Sequence, residues 1–282
     1  MSGLKTILTT LVGSTLHGTS VEDGLEDLDL MSVMLEPLSH FVGFRVGSHN
    51  ELIGFSNTHT WVHRTKPEGV RSEAGDVDHT KYSLKQYLNH AFKSNPTILL
   101  PLFAPRESVY EITKEGEELR SRITQLLVSQ KAYNSFRGYL KQQFERLVGS
   151  RGQRNVTRPE LVDRYGFDTK YAGHILRLGY QGEELLRTGR ITLPMPESQR
   201  LEVVKMRTGG YSFEQACEML QRFDSILDEA RRRSTLRTEP DYRAVNAWMI
   251  RTYQNFWREG IVLRRDELPP MRREEADKAS AS

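Results

Sequence analysis

The residues of this chain best suited to chemistry crowd near its beginning. An apolar run, residues 7–12, leads into Gly13-Ser14, and a polar stretch then leads to Asp27-Leu28-Asp29-Leu30. If 7–12 is a strand, Gly13 and Ser14 form the bend that leaves it. Glycine lets the backbone turn sharply and brings amide N–H groups close to a ligand, and serine adds a hydroxyl. Exposed amides and a hydroxyl at a strand end make a cradle for phosphate oxygens. In a strand, residues i and i+2 share a face, so Asp27 and Asp29 point together while Leu28 and Leu30 are expected to enter the core. Two adjacent carboxylates repel unless a cation lies between them. Mg2+ is the hard divalent ion that takes carboxylate oxygens together with substrate phosphates. The stretch therefore predicts a site where one edge holds a phosphate chain and the other holds the metal that neutralises it.

These residues need a frame. Short β-prone runs alternate with turn chemistry up to residue 105, with strands expected at 7–12, 28–35, 42–46 and 57–63. A helix over 84–93 is stopped by Asn95-Pro96. From 106 to 265 the pattern is helical, with helices expected at 114–127, 129–148, 168–188, 197–207, 212–233 and 240–258. The fold class is α+β: a small mixed sheet with one or two helices over 1–105, then a helical bundle over 106–265. The tail 266–282 is polar and expected to be disordered.

Bulk properties narrow the function classes. The 282 residues suffice for one large domain or two modest ones. A net charge of +3 is too small for a global field, so any nucleic-acid affinity must come from local clusters. The single cysteine, Cys217, excludes an internal disulfide framework and fits a reducing compartment. With no apolar run of membrane-spanning length and no signal-peptide layout, a cytoplasmic protein without membrane contact is expected.

The order Gly-Ser, spacer, Asp-x-Asp resembles the signature of the DNA polymerase β-like nucleotidyltransferases. The segment 75–105, GDVDHTKYSLKQYLNHAFKSNPTILLPLFAP, is similar to the corresponding part of the RNA-repair-pathway DNA polymerase β family. Further blocks, 132–144 and 170–196, look like the same family. The resemblance implies that 1–105 is a catalytic palm domain that uses a nucleoside triphosphate, two Mg2+ ions (or Mn2+) and an acceptor, first of all an RNA or DNA end. It implies a third carboxylate, Asp78 with Asp76 as the alternative, that joins Asp27 and Asp29 in binding metal and helps deprotonate the attacking hydroxyl. On the helix expected at 168–188, Lys170, His174 and Arg177 fall at i, i+4 and i+7, a basic stripe suited to the triphosphate or the acceptor's phosphates. A protein or small-molecule hydroxyl as acceptor stays open, as does a nucleic-acid-binding module without catalysis. Two departures stand out: a long spacer before Asp27, and serine at 32 where the family usually has glycine, either of which would reshape the pocket.

Other signals carry less. His59 and His63 lack the glutamate of a zincin motif. Cys217 falls in a helix beside Ala216 and Met219 and is expected to be buried and inert. The run 231–237, RRRSTLR, complements a helix C-terminus or touches nucleic acid. Trp248, Tyr253, Phe256 and Trp257 read as core rather than a stacking platform. Gly-x-Ser-x-Gly is absent, so Ser14 and His17 do not suggest hydrolase chemistry.

Overall fold

The computed structural model describes residues 3–21, 28–42, 44–46, 52–55, 60–64, 76–148 and 158–260. Its elements in chain order are β1 (Lys5–Leu11), α1 (Gly13–His17), β2 (Leu28–Leu35), α2 (Ser39–Val42), β3 (Phe44–Val46), β4 (Leu52–Phe55), β5 (Thr60–Arg64), β6 (Val77–Ser83), α3 (Leu84–Phe92), α4 (Pro96–Phe103) and β7 (Val109–Ile112). The helical part follows as α5 (Lys114–Glu118), a π-turn (Leu119–Ile123), α6 (Thr124–Leu127), α7 (Ala132–Leu147), α8 (Pro159–Tyr165), α9 (Thr169–Thr188), α10 (Glu197–Arg207), α11 (Phe213–Arg233) and α12 (Tyr242–Gly260).

The fold is α+β. Five strands form a mixed sheet in the order β5-β6-β2-β1-β7, and β3 and β4 form a separate hairpin. Only β2 and β6 run parallel; the other pairings in the large sheet are antiparallel. β1 is rich in β-branched residues, Ile7 and three threonines, and its middle is buried on both faces, as expected of a strand flanked on both sides. β2 corrects the expectation for Leu28 and Leu30. Both are half-buried, and the buried stretch starts at Met31 and runs to Leu35. Met31 and Val33, on the face of Asp29, belong to the core, so the carboxylate sits where the covered part of its own face ends.

Ser32 alternates to the other face. Its hydroxyl lies 2.7 Å from Thr9 Oγ1 and 2.7 Å from His79 Nε2, tying β1, β2 and β6 together behind the carboxylates. Serine at 32 is therefore a link between strands and does not shape the pocket in front of them.

Local chemistry explains several element ends. Ser83 closes β6 and caps α3 by accepting from Gln86 N. Asn95-Pro96, expected only to stop a helix, also starts the next: Asn95 accepts from Thr97 N and Ile98 N, with Pro96 in the first turn of α4. The expected helix 114–127 is continuous through a π-turn. In the helical part, α9 packs against α7, α10 and α11. Trp248 and Tyr253 of α12 are buried, and Phe256 and Trp257 pack against the same core. Cys217 is only partly buried, against expectation.

Candidate active site

The parallel ladder between β2 and β6 places Asp29 directly opposite Asp78. Directly opposed residues project from one face with Cβ atoms about 5 Å apart. Both line a cavity of about 460 Å3. Asp76 does not. It precedes β6, is buried, and gives its carbonyl to Leu28 N at 2.8 Å, which anchors the start of the ladder. Asp27 lies outside the described residues, as do His59 and the expected tail; β5, residues 60–64, overlaps the strand expected at 57–63 at 60–63. Among the described residues, no cluster of three metal-ligating side chains forms. Asp29 and Asp78 nonetheless supply two hard oxygen donors side by side, a donor set suited to Mg2+.

Gly13 and Ser14 open α1 directly against this pair. Gly13 has φ +76°, and a Cβ built on it would overlap the Asp29 carboxyl oxygen and come within 3.0 Å of Asp29 Cβ and Cγ. The glycine is required twice over, by its left-handed backbone and by the acid packed against its Cα. Val12 N donates to Asp29 O at 2.9 Å, so the turn is stitched to β2 at the acid itself.

The opposite wall comes from α9. Asp168 caps this helix by accepting from Tyr171 N at 2.9 Å, and Arg158 pairs with the same carboxylate at 3.2 Å. With the start so fixed, Ile175, Leu176, Leu178, Leu185 and Leu186 face the core, and Lys170, His174 and Arg177 line the cavity. Thus Gly13, Ser14, Asp29, Asp78, Lys170, His174 and Arg177 are brought to one space.

Several residues that line it were not foreseen. His17, the last residue of α1, is 2 % exposed. Its Nε2 meets an Arg177 guanidinium nitrogen, and its Nδ1 lies 3.0 Å from the Gln181 side-chain amide. Gln181 is the next position along the stripe of Lys170, His174 and Arg177, so extending that stripe by a turn would have found it. Arg207, at the end of α10, donates to the Thr19 carbonyl and crosses α9 at Gly173, where a Cβ would stand 2.5 Å from Arg207 Cγ. From β6, Thr80 and Tyr82 follow Asp78 on the same face, and Thr97 of α4 lies at that end.

Electrostatics distinguish the two walls. Arg177 pairs with no carboxylate among the described residues: it meets the His17 and His174 rings and donates to the Gln181 amide oxygen, the Arg177 Nη2 to His174 Nδ1 distance being 2.7 Å. Burial, and then the nearby Arg207 charge, lower its pKa to about 10. Burial first, then Arg177 and Arg158, lower His174 to about 3. Burial, then Arg177 and His174, hold His17 well below the usual imidazole range. Both rings are therefore neutral at pH 7. Burial also raises the Tyr82 hydroxyl above its ordinary value.

The arginines of the basic run that ends α11 make internal contacts: Arg232 and Arg233 pair with Glu229, and Arg231 stacks on Tyr133. No helix among the described residues is long and apolar enough to cross a membrane.

Comparison with known proteins gives a family and a small set of solved structures. A search of curated proteins finds no match. A nucleotidyltransferase-like protein from Exiguobacterium sibiricum 255-15 is 11 % identical, with a TM-score of 0.31 over 89 % of this chain and 74 % of that one. That overlap is too loose to bear on fold or function. The profile of RlaP, the RNA repair pathway DNA polymerase β family, matches residues 1–251. With Gly13-Ser14 set against Asp29 and the match extending through the helical part to α12, the chain belongs to the RNA repair pathway DNA polymerase β family.

Proposed function

We propose that the chain is a metal-dependent nucleotidyltransferase that moves a nucleoside monophosphate from a nucleoside triphosphate to the hydroxyl of a nucleic-acid end, releasing pyrophosphate. The observation that carries this reading is the cavity with two opposed walls, Asp29 beside Asp78 on the sheet and a cationic stripe on α9. Family membership supports a nucleic acid as the acceptor.

In this reading Gly13 and Ser14 offer amide and hydroxyl donors to the β- and γ-phosphates, with Lys170, His174 and Arg177 on the far side of the same phosphate chain or on the acceptor's phosphates. Asp29 and Asp78, with Asp27, would hold two Mg2+ ions (or Mn2+). Bound there, the ions supply charge neutralisation at the entering and leaving oxygens. Asp78 takes the proton of the acceptor hydroxyl as its oxygen attacks the α-phosphorus. The bond from that phosphorus to the bridging oxygen breaks, and pyrophosphate departs opposite the new bond. The protein's contribution is mainly positioning and fixed charge.

The test is pyrophosphate release with Mg2+ and each nucleoside triphosphate, with RNA, DNA or protein acceptors present or absent. Asp78→Asn is expected to lower the rate by about 10^2- to 10^4-fold, the range of a lost general base, with an unchanged circular dichroism spectrum. Full turnover in Asp78→Asn refutes the assignment. Salt-sensitive nucleic-acid binding without turnover by the wild type points instead to a binding module.

A further inference from the structure

A buried guanidinium is ordinarily balanced by a carboxylate. Arg177 is not. Among the described residues it meets only uncharged groups, the rings of His17 and His174 and the amide of Gln181. It nevertheless keeps part of its surface on the cavity, near a second arginine, Arg207.

The protonation pattern follows from donor logic. A guanidinium only donates, so His17 Nε2 and His174 Nδ1 both present lone pairs to it. The Gln181 amide sits between Arg177 and His17, its oxygen 3.3 Å from an Arg177 guanidinium nitrogen and its nitrogen 3.0 Å from His17 Nδ1, so it holds the neutral imidazole and the guanidinium together. Burial favours this neutral form. His17 is itself pinned, because its carbonyl accepts from Met195 N at 3.1 Å.

We infer that His17 is a positioning residue: an uncharged brace that aims the Arg177 guanidinium into the cavity while leaving its positive charge unspent for an anionic ligand. The inference rests on the phosphate-binding reading of the cavity given above and adds the group that makes it effective. A carboxylate at the same position would fix the arginine equally well but cancel its charge, and an apolar ring would fill the space but let the guanidinium turn. Histidine does neither.

Binding of inorganic tripolyphosphate to the full-length chain, measured by calorimetry in EDTA, separates these cases. Arg177→Gln is the reference and is expected to weaken binding at least about tenfold, the loss of one good charged contact. His17→Glu is expected to weaken it as much, because the introduced carboxylate neutralises Arg177. His17→Phe is expected to lose about tenfold through loss of aim, while His17→Gln, which restores an uncharged acceptor, binds within about threefold of wild type. A merely structural role predicts instead that all three His17 variants follow their melting temperatures. Should His17→Glu fail to fold, the contrast between His17→Phe and His17→Gln decides. Wild-type affinity in His17→Glu or His17→Phe, or equal losses in His17→Phe and His17→Gln, overturns the inference alone. An unaffected Arg177→Gln overturns it together with the phosphate-binding reading.

Discussion

Gly13→Ala is the sharpest single test of how the sheet half of the cavity is built. At φ +76° an alanine carries left-handed strain of about 1–2 kcal/mol. Its Cβ would also overlap the Asp29 carboxyl oxygen and lie 3.0 Å from Cβ and Cγ of that residue, so the acid must move. A shift on the order of 1 Å in a positioning group costs about 10^2-fold in rate. Gly166→Ala isolates the backbone term, since Gly166 has φ +82° and a Cβ there would meet nothing within 4 Å. Both variants are expected to lose about 1–2 kcal/mol in urea unfolding. Gly13→Ala alone is expected to raise the Mg2+ concentration needed for half-maximal pyrophosphate release and to lower the rate about 10^2-fold. If Gly13→Ala keeps wild-type rate and Mg2+ dependence, or if Gly166→Ala falls equally, the close packing of Gly13 on Asp29 is not what sets the carboxylate.

Two further outcomes concern the α9 wall. His17 and His174 both have folded pKa values below the unfolded value, so the unfolded chain binds more protons and stability falls as pH drops, for His174 across about pH 6.5 to 3. For His174 alone, about 3 against 6.5, the loss reaches about 2 kcal/mol by pH 5. Urea midpoints from pH 7.5 to 4.5 check this, and an unchanged slope in His174→Gln contradicts it. Gly173→Ala should gain about 1 kcal/mol of helix propensity yet push Arg207 aside, giving near-wild-type stability with weaker nucleoside triphosphate binding. Unchanged affinity in that variant, measured by calorimetry, removes Arg207 from the site.

What the sequence discloses and what it hides follow from the range of each interaction. The pairing of a glycine bend with Asp29 is legible because strand alternation and turn chemistry are local. The stripe of Lys170, His174 and Arg177 is legible for the same reason, helical phase being a property of one segment. The depth of Leu28 and Leu30 is not: alternation gives which residues share a face, and only the helices laid on the sheet decide where cover begins. Strand β7, four residues at the sheet edge, is too short to stand out beside helical sequence. The five-residue α1 reads as a bend for similar reasons, which hides His17, whose meaning arises only when α9 brings Arg177 over it. Arg207 is hidden likewise, because nothing within α10 reveals that a glycine on another helix admits its side chain.

The ladder that sets Asp29 against Asp78 has an evolutionary corollary. The spacing of the two acids is ruled by backbone hydrogen bonds between neighbouring strands, and of the long crossover from β2 to β6 it is β5 that bears on it, pairing with β6 and standing Arg64 opposite Asp78. Outside β5 the crossover is thus at liberty to grow, shrink or gain ornaments among relatives with little penalty at the acids. A single residue inserted within either strand, by contrast, would rotate one acid to the back of the sheet.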